Sequence, residues 1–247
     1  MNIFCRLLFL FALVKTQTIN VDDVFKNINF EAISQDVVGI IENDISRVSD
    51  IDVLINDFID KIFANIQNLM RNNNMSTIDI PDAHLQFDPA GHLDLRNGTL
   101  QDLDTISRRE DVHIKYDSLN KKVSLTIPIK FDSLKFFYDN YHAKVLFISI
   151  SGSVHGSIEN IKVNAELSFD FNTYTAFLDH YDMKDSGKVT IKFTGNGVVD
   201  WLLNAMTAVV DSFLGQVIVN VLAKLIRGSL REFCDKINED IANILNH

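Results

Sequence analysis

The chain has 247 residues, of which 47% are hydrophobic and 23% charged, and a formal charge of −10 from 23 Lys+Arg and 33 Asp+Glu. This near-average composition excludes a disordered, collagen-like or disulfide-stapled chain, and its length suffices to bury a sizeable core. An acidic chain without basic clusters is unsuited to coating nucleic acid or an anionic membrane. Phe is over-represented, with 18 against one Trp and five Tyr. So many large apolar rings without a polar handle mark a wide core or an apolar cavity.

Residues 3–14 form the apolar run Ile-Phe-Cys-Arg-Leu-Leu-Phe-Leu-Phe-Ala-Leu-Val, followed by Lys15-Thr16-Gln17-Thr18. The run is shorter than the ~20 apolar residues of a membrane span, so it reads as a secretory signal peptide covering residues 1–18. Its removal takes Arg6 and Lys15 but no acid, moving the charge from −10 to −12. Cys234 is then the single cysteine, so no intrachain disulfide is possible. It lies beside Phe233 in a helical pattern and reads as a buried apolar residue. In an extracellular chain the sequons Asn74-Met75-Ser76 and Asn97-Gly98-Thr99 become candidate glycosylation sites.

The first block after the signal is helical. Val24, Ile28, Ile33, Val37, Ile40, Ile41 and Ile45 recur at three- and four-residue spacing, then Val53, Leu54, Phe58, Ile62, Ile66, Leu69 and Met70, with a break expected at Ser49-Asp50. Residues 76–195 change to period two. Val123, Leu125, Ile127, Ile129 and Phe131 alternate with polar residues, as do Ile161 to Phe171 and Val189 to Phe193. Strands with one apolar and one wet face favour an antiparallel sheet. Turns are expected at 88–91, at Asn97-Gly98, at 117–120 and at 185–187, and Pro128 points to an edge or a bulge.

The last block, 198–245, is helical again. Between Val198 and Ile226 only Asp200, Asp211 and Lys224 are charged. Asn204, Asp211, Gln216 and Asn220 weigh against a bilayer span, so this segment is expected to be enclosed by protein. Beyond Gly228 a separate, one-sided surface helix is expected, with Leu230, Phe233, Ile237, Ile241 and Leu245 on its apolar face.

One arrangement satisfies these pieces: an α+β domain over residues 19–247, in which a curved antiparallel sheet wraps the long C-terminal helix and N-terminal helices close the open side. Trp201, Met206, Val209, Val210, Phe213 and Val217 would then face Phe131, Phe136, Phe147, Phe169 and Phe171, with Phe58 and Ile62 added from the N-terminal block. That interior is either a ligand cavity or a fully packed core.

Motifs of catalysis are not evident. The sequence contains no G-x-S-x-G, P-loop, H-E-x-x-H or C-x-x-C pattern. His84, His92, His113, His142, His155 and His180 have no ligand-like spacing, so neither a metal nor a cofactor is expected, and neither is an enzyme. The acids Asp102, Asp104, Glu110 and Asp111 beside Arg108-Arg109 read as solvated loop charges.

The segment Gly91-His92-Leu93-Asp94-Leu95-Arg96-Asn97-Gly98-Thr99-Leu100-Gln101-Asp102-Leu103 resembles a strand–turn–strand of the mite group 7 allergens and their arthropod relatives. These resemble in turn the juvenile-hormone-binding, Takeout and bactericidal/permeability-increasing proteins. Ile80-Pro81-Asp82, the strand Ile127–Phe131 followed by Tyr138-Asp139, and the apolar C-terminal helix occur in similar order. The resemblance implies a curved sheet around a long helix in a secreted protein that holds a lipid-like ligand. The hormone-binding and Takeout branches carry an N-terminal cysteine pair, which this chain lacks after residue 18, so the likeness is to the allergen branch.

The expected function is therefore that of a secreted, glycosylated carrier of a small lipid or other apolar molecule, with no nucleic-acid partner and no membrane span in the mature chain. A pattern-recognition or protein-interaction module of the same fold without a tunnel is the alternative. The charge of the chain, with only Lys121-Lys122 and Arg108-Arg109 as basic pairs, weighs against binding lipopolysaccharide phosphates.

Overall fold

The computed structural model describes residues 48–88, 90–117, 119–185, 187–195 and 200–245. The expected N-terminal helix around Val24–Ile45 lies outside them. Helix α1 (Val48–Asn72) comes first, then β1 (Ile78–Ile80), β2 (Ala83–Phe87), β3 (Gly91–Gln101), β4 (Ile106–Arg108) and β5 (His113–Asp117). The long strands β6 (Lys122–Val145) and β7 (Ile148–Asp170) follow, then β8 (Thr175–Asp185), β9 (Lys188–Phe193) and helix α2 (Asp200–Leu245). All nine strands form one antiparallel sheet with the main order β1-β3-β6-β7-β8. This is the expected open sheet with a long C-terminal helix.

Strands β6 and β7 pair over nearly their whole length, Lys122 with Asp170 through Val145 with Ile148, and carry the sheet. The short strands line their flanks: β5 and β4 lie in tandem along the first half of β6, and β3 along the second. Pro128 falls in the gap between β5, which ends opposite Thr126, and β4, which begins opposite Ile129. The missing Pro N–H therefore costs no ladder bond, although β6 is an inner strand.

The inward face of β6 changes phase twice. Apart from Pro128, buried residues are odd-numbered from Leu125 to Phe131, even-numbered from Leu134 to Tyr138, and odd-numbered again from Tyr141 to Val145. The second change coincides with a register shift between Tyr138 and Tyr141. The first lies opposite Asn160, whose φ of 61° breaks the extended backbone of β7. Such irregularities strengthen twist and bend a sheet, which lets two long strands curve over a core. Gly156 sits under the ring of Phe136, and a Cβ there would meet the carbonyl oxygen of Thr190 at 1.9 Å.

Three local expectations are corrected. Asn97-Gly98 is no turn: β3 runs through it, with Asn97 at φ 56° and its N–H donated to Asp82 Oδ1 at 2.8 Å. Ser49 and Asp50 are helical within α1. Helix α2 runs unbroken through Gly228 for 46 residues, because nothing packs within 4 Å of a Cβ there and the glycine is only a weak spot in a continuous stripe.

Helix α2 is also not enclosed. Its buried residues are Leu202, Met206, Val210, Leu214, Ile218, Leu222, Ile226 and Leu230, continuing to Ile241. A spacing of four advances the contact line by about 40° per step around the helix, as a twisted sheet crossing it requires. Asn204, Asp211, Gln216, Asn220 and Lys224 are exposed, and apolar residues such as Val209, Phe213 and Val217 sit half-buried on the flanks. The polar residues that argued against a bilayer form the wet side of an amphipathic helix.

Helix α1 buries Ile55, Phe58, Ile59, Ile62, Phe63, Ile66 and Met70 and is clamped to the sheet by polar contacts. Arg108 donates to both carboxylate oxygens of Asp60 at 2.9 and 2.7 Å, Arg71 to Asp104 at 2.5 Å, and Gln67 to the carbonyl of Ile106 at 2.7 Å. Of the residues that read as solvated loop charges, Asp104, Arg108 and Asp111 thus fasten α1, whereas Asp102 pairs with Lys135 and Arg109 with Glu110.

Candidate ligand-binding interior

The inward faces of β3, β6 and β7 share one apolar cluster with α1, which lies against β4 and the turn before it, and with α2, which lies against β8, β9 and β2. Period-two alternation brings Phe131, Phe136 and Phe169 inward, and the helical stripes bring Phe58, Ile62, Met206 and Val210 to the same apolar cluster, all of them buried. Val209, Phe213, Val217 and Phe171 pack against that cluster half-buried, with the Phe171 ring edge-on to Phe169 at 5.0 Å.

Two expected interior residues lie elsewhere. Phe147 is 92% exposed at the tip of the β6–β7 hairpin, because the strands turn one residue before it. Trp201 is 47% exposed in the first turn of α2. Neither faces the interior.

Among the described residues, the fully buried side chains include no Asp, Glu, Lys, Arg or His, and the buried hydroxyls of Tyr138 and Tyr141 donate to the carbonyls of Pro81 and Thr194. A polar group that the sequence did not single out is Tyr181 on β8. It pairs with inward-facing Ala165, and its hydroxyl is buried without a hydrogen-bond partner among the described residues. Burial pushes its pKa up, opposed by the charge of Arg227, so it stays a neutral donor. An unpaired buried hydroxyl is costly unless something answers it. No sequence motif marks it, because its inward position depends on the irregular β7–β8 register near Glu166.

Cys234 is buried and unpaired, and desolvation pushes its thiol up to about 12, so it is no nucleophile at neutral pH. No group of three His, Cys, Asp or Glu among the described residues could hold a metal ion. Three of the histidines do come together on the outer face. His84, His92 and His142 sit on neighbouring strands with ring centroids 5.5 and 6.5 Å apart, and Asp94 accepts from His84 Nδ1 at 2.7 Å. Asn74 and Asn97 are both exposed. A groove of ≈ 530 Å³ also opens on the outer face, between Lys135, Phe137, His155, Ser157 and Lys192.

Comparison with solved structures finds likeness at low identity. A lipopolysaccharide binding protein matches with 16% identity and a TM-score of 0.37, over 72% of this chain and 36% of that one. Takeout 1 of Epiphyas postvittana matches with 16% identity and a TM-score of 0.29, over 72% of this chain and 88% of that one. The chain thus spans about a third of the length of the first. No curated protein matches. The family profile described as Group 7 allergen matches residues 54–237, from α1 through the sheet into the last turns of α2. By that match over most of its length, the chain belongs to the group 7 allergen family.

Proposed function

We propose that this chain is a secreted carrier that holds a small lipid or similar amphiphile between its sheet and its helices. The observation that carries the reading is Tyr181: a buried hydroxyl without a partner among the described residues, on a side chain packed against a cluster made mostly of Phe, Leu, Ile, Val and Met. Ligand sites are mostly apolar with a few placed polar groups. An acyl chain entering this interior would gain ~25 cal/mol per Å² of apolar area removed from water, and a hydroxyl or carboxyl on it would accept from Tyr181. Residues Phe58, Ile62, Phe131, Phe136, Phe169, Met206 and Val210 are the proposed walls, with Val209, Phe213, Val217 and Phe171 at their margin. Binding is passive, so no catalytic group is assigned. Residues 1–18 as a cleaved signal, residues 19–247 as one domain, and sugar on Asn74 and Asn97 complete the proposal.

The test is organic extraction of the secreted protein followed by mass spectrometry, together with displacement of a fluorescent fatty acid. Co-purifying lipid and saturable displacement are expected; neither being found would sink the carrier reading. It would leave the interaction-module reading, which the half-buried apolar flanks of α2 favour.

A further inference from the structure

The β6–β7 hairpin is the longest in the sheet, and it ends on Leu146 and Phe147, which are 65% and 92% exposed. Single exposed apolar residues are ordinary, but two large adjacent ones at a projecting tip are not. The turn is also poorly suited to them. Leu146 sits at φ 52°, the first central position of a two-residue turn, where glycine is the residue that adopts positive φ freely. Local backbone preference therefore does not explain the pair. The tip's surroundings are polar and in part basic. Lys144 precedes it, with His92 paired opposite Lys144 on β3 and His142 two residues before Lys144 on the same face. The adjoining β2–β3 hairpin contributes the carboxylates Asp88 and Asp94, the latter bonded to His84.

We infer that Leu146 and Phe147 form a lipid-surface docking tip, which inserts between the headgroups of a bilayer while Lys144 and the neighbouring imidazoles meet the phosphate layer. A protein partner is a poorer fit, since a specific interface needs about 800 Å² per side and a two-residue convex tip offers far less. A bilayer needs only side chains long enough to reach the acyl boundary, and aromatic and cationic groups suit its interface. The tip is separate from the interior described above, so its failure would leave the carrier reading standing.

The test is co-sedimentation of the full secreted chain with phosphatidylcholine vesicles, with and without phosphatidylglycerol. The variant L146G/F147S relieves the positive φ and removes both apolar side chains. It should keep or raise the melting temperature and lose vesicle binding roughly tenfold or more, the factor that burial of one large apolar side chain supplies. Leu119→Ser is the control: Leu119 is as exposed as Phe147, but it lies in the β5–β6 turn at the far end of β6, between the polar residues Ser118 and Asn120. It should bind vesicles like the parent chain. Parent protein that stays in the supernatant, or equal binding by L146G/F147S, overturns the inference. So does concentration-dependent dimerisation that L146G/F147S abolishes in a parent chain that does not bind vesicles.

Discussion

A single hydroxyl separates the two readings of the interior. In Tyr181→Phe a buried group without a partner is removed and the ring that fills the space is kept. Leaving such a group unsatisfied costs ~1–3 kcal/mol, so its deletion should hold or raise stability in the empty protein. If the hydroxyl answers a ligand's polar head, the same change weakens fatty-acid binding, and an ester or alkane probe lacking a carboxyl is affected less. Stability and affinity moving in opposite directions, read from thermal melts and displacement curves, is the expected outcome. Unchanged affinity for every probe would make Tyr181 a plain wall residue. At the same scale, Phe147 illustrates how far composition can mislead: a Phe in a strand-rich block is a fair core candidate, yet its environment was decided by where the hairpin turned.

The fastening of α1 is a property of elements. Its apolar stripe, Ile55 to Met70, packs on the sheet, and its polar edge meets β4 and the turn before it through Arg108–Asp60 and Arg71–Asp104. Burial alone would raise the pKa of Asp104, but hydrogen bonds from Arg71 and Ser76 outweigh it and hold the carboxyl below the usual carboxylate range. A carboxylate with a folded pKa below its unfolded value of ~3.9 contributes stability above that value and loses it as pH falls through the folded one. Arg71→Ala should therefore lower stability at neutral pH by about 1 kcal/mol or less, given the solvent exposure of Arg71. The gap to the parent should narrow as the pH falls below ~4. Denaturant titrations across that range check it, and a gap independent of pH would assign the loss to packing. The helical character of α1 and α2 was legible from spacing alone, because a 3.6-residue period survives any tertiary setting. Their partners were not: which loop arginine met which helix carboxylate depends on contacts 33 and 48 residues apart.

At the scale of the whole molecule, the proposed ligand would share one interior with the core of the fold. A molecule held there stabilises the folded state by mass action, so delipidation should lower the melting temperature and re-addition restore it. Met206→Trp adds bulk near the start of the α2 stripe, where Met206 is fully buried. In a ligand-holding interior this variant should lose fatty-acid capacity several-fold while its circular dichroism is unchanged, whereas in a packed core it should destabilise the fold by ~1–3 kcal/mol.

The sequence by itself determined the acidic charge, the helix–sheet–helix order, the antiparallel character and the family likeness carried by Gly91–Leu103, since these rest on composition and local periodicity. Only the tertiary structure decided that α2 is one amphipathic helix rather than an enclosed one followed by a second. It alone decided that Asn97-Gly98 lies inside a strand, that β6 reverses its inward face twice, and that Tyr181 points into the core while Phe147 points out. Each depends on register and twist, which are set by contacts between distant segments and leave no trace in the spacing of neighbours.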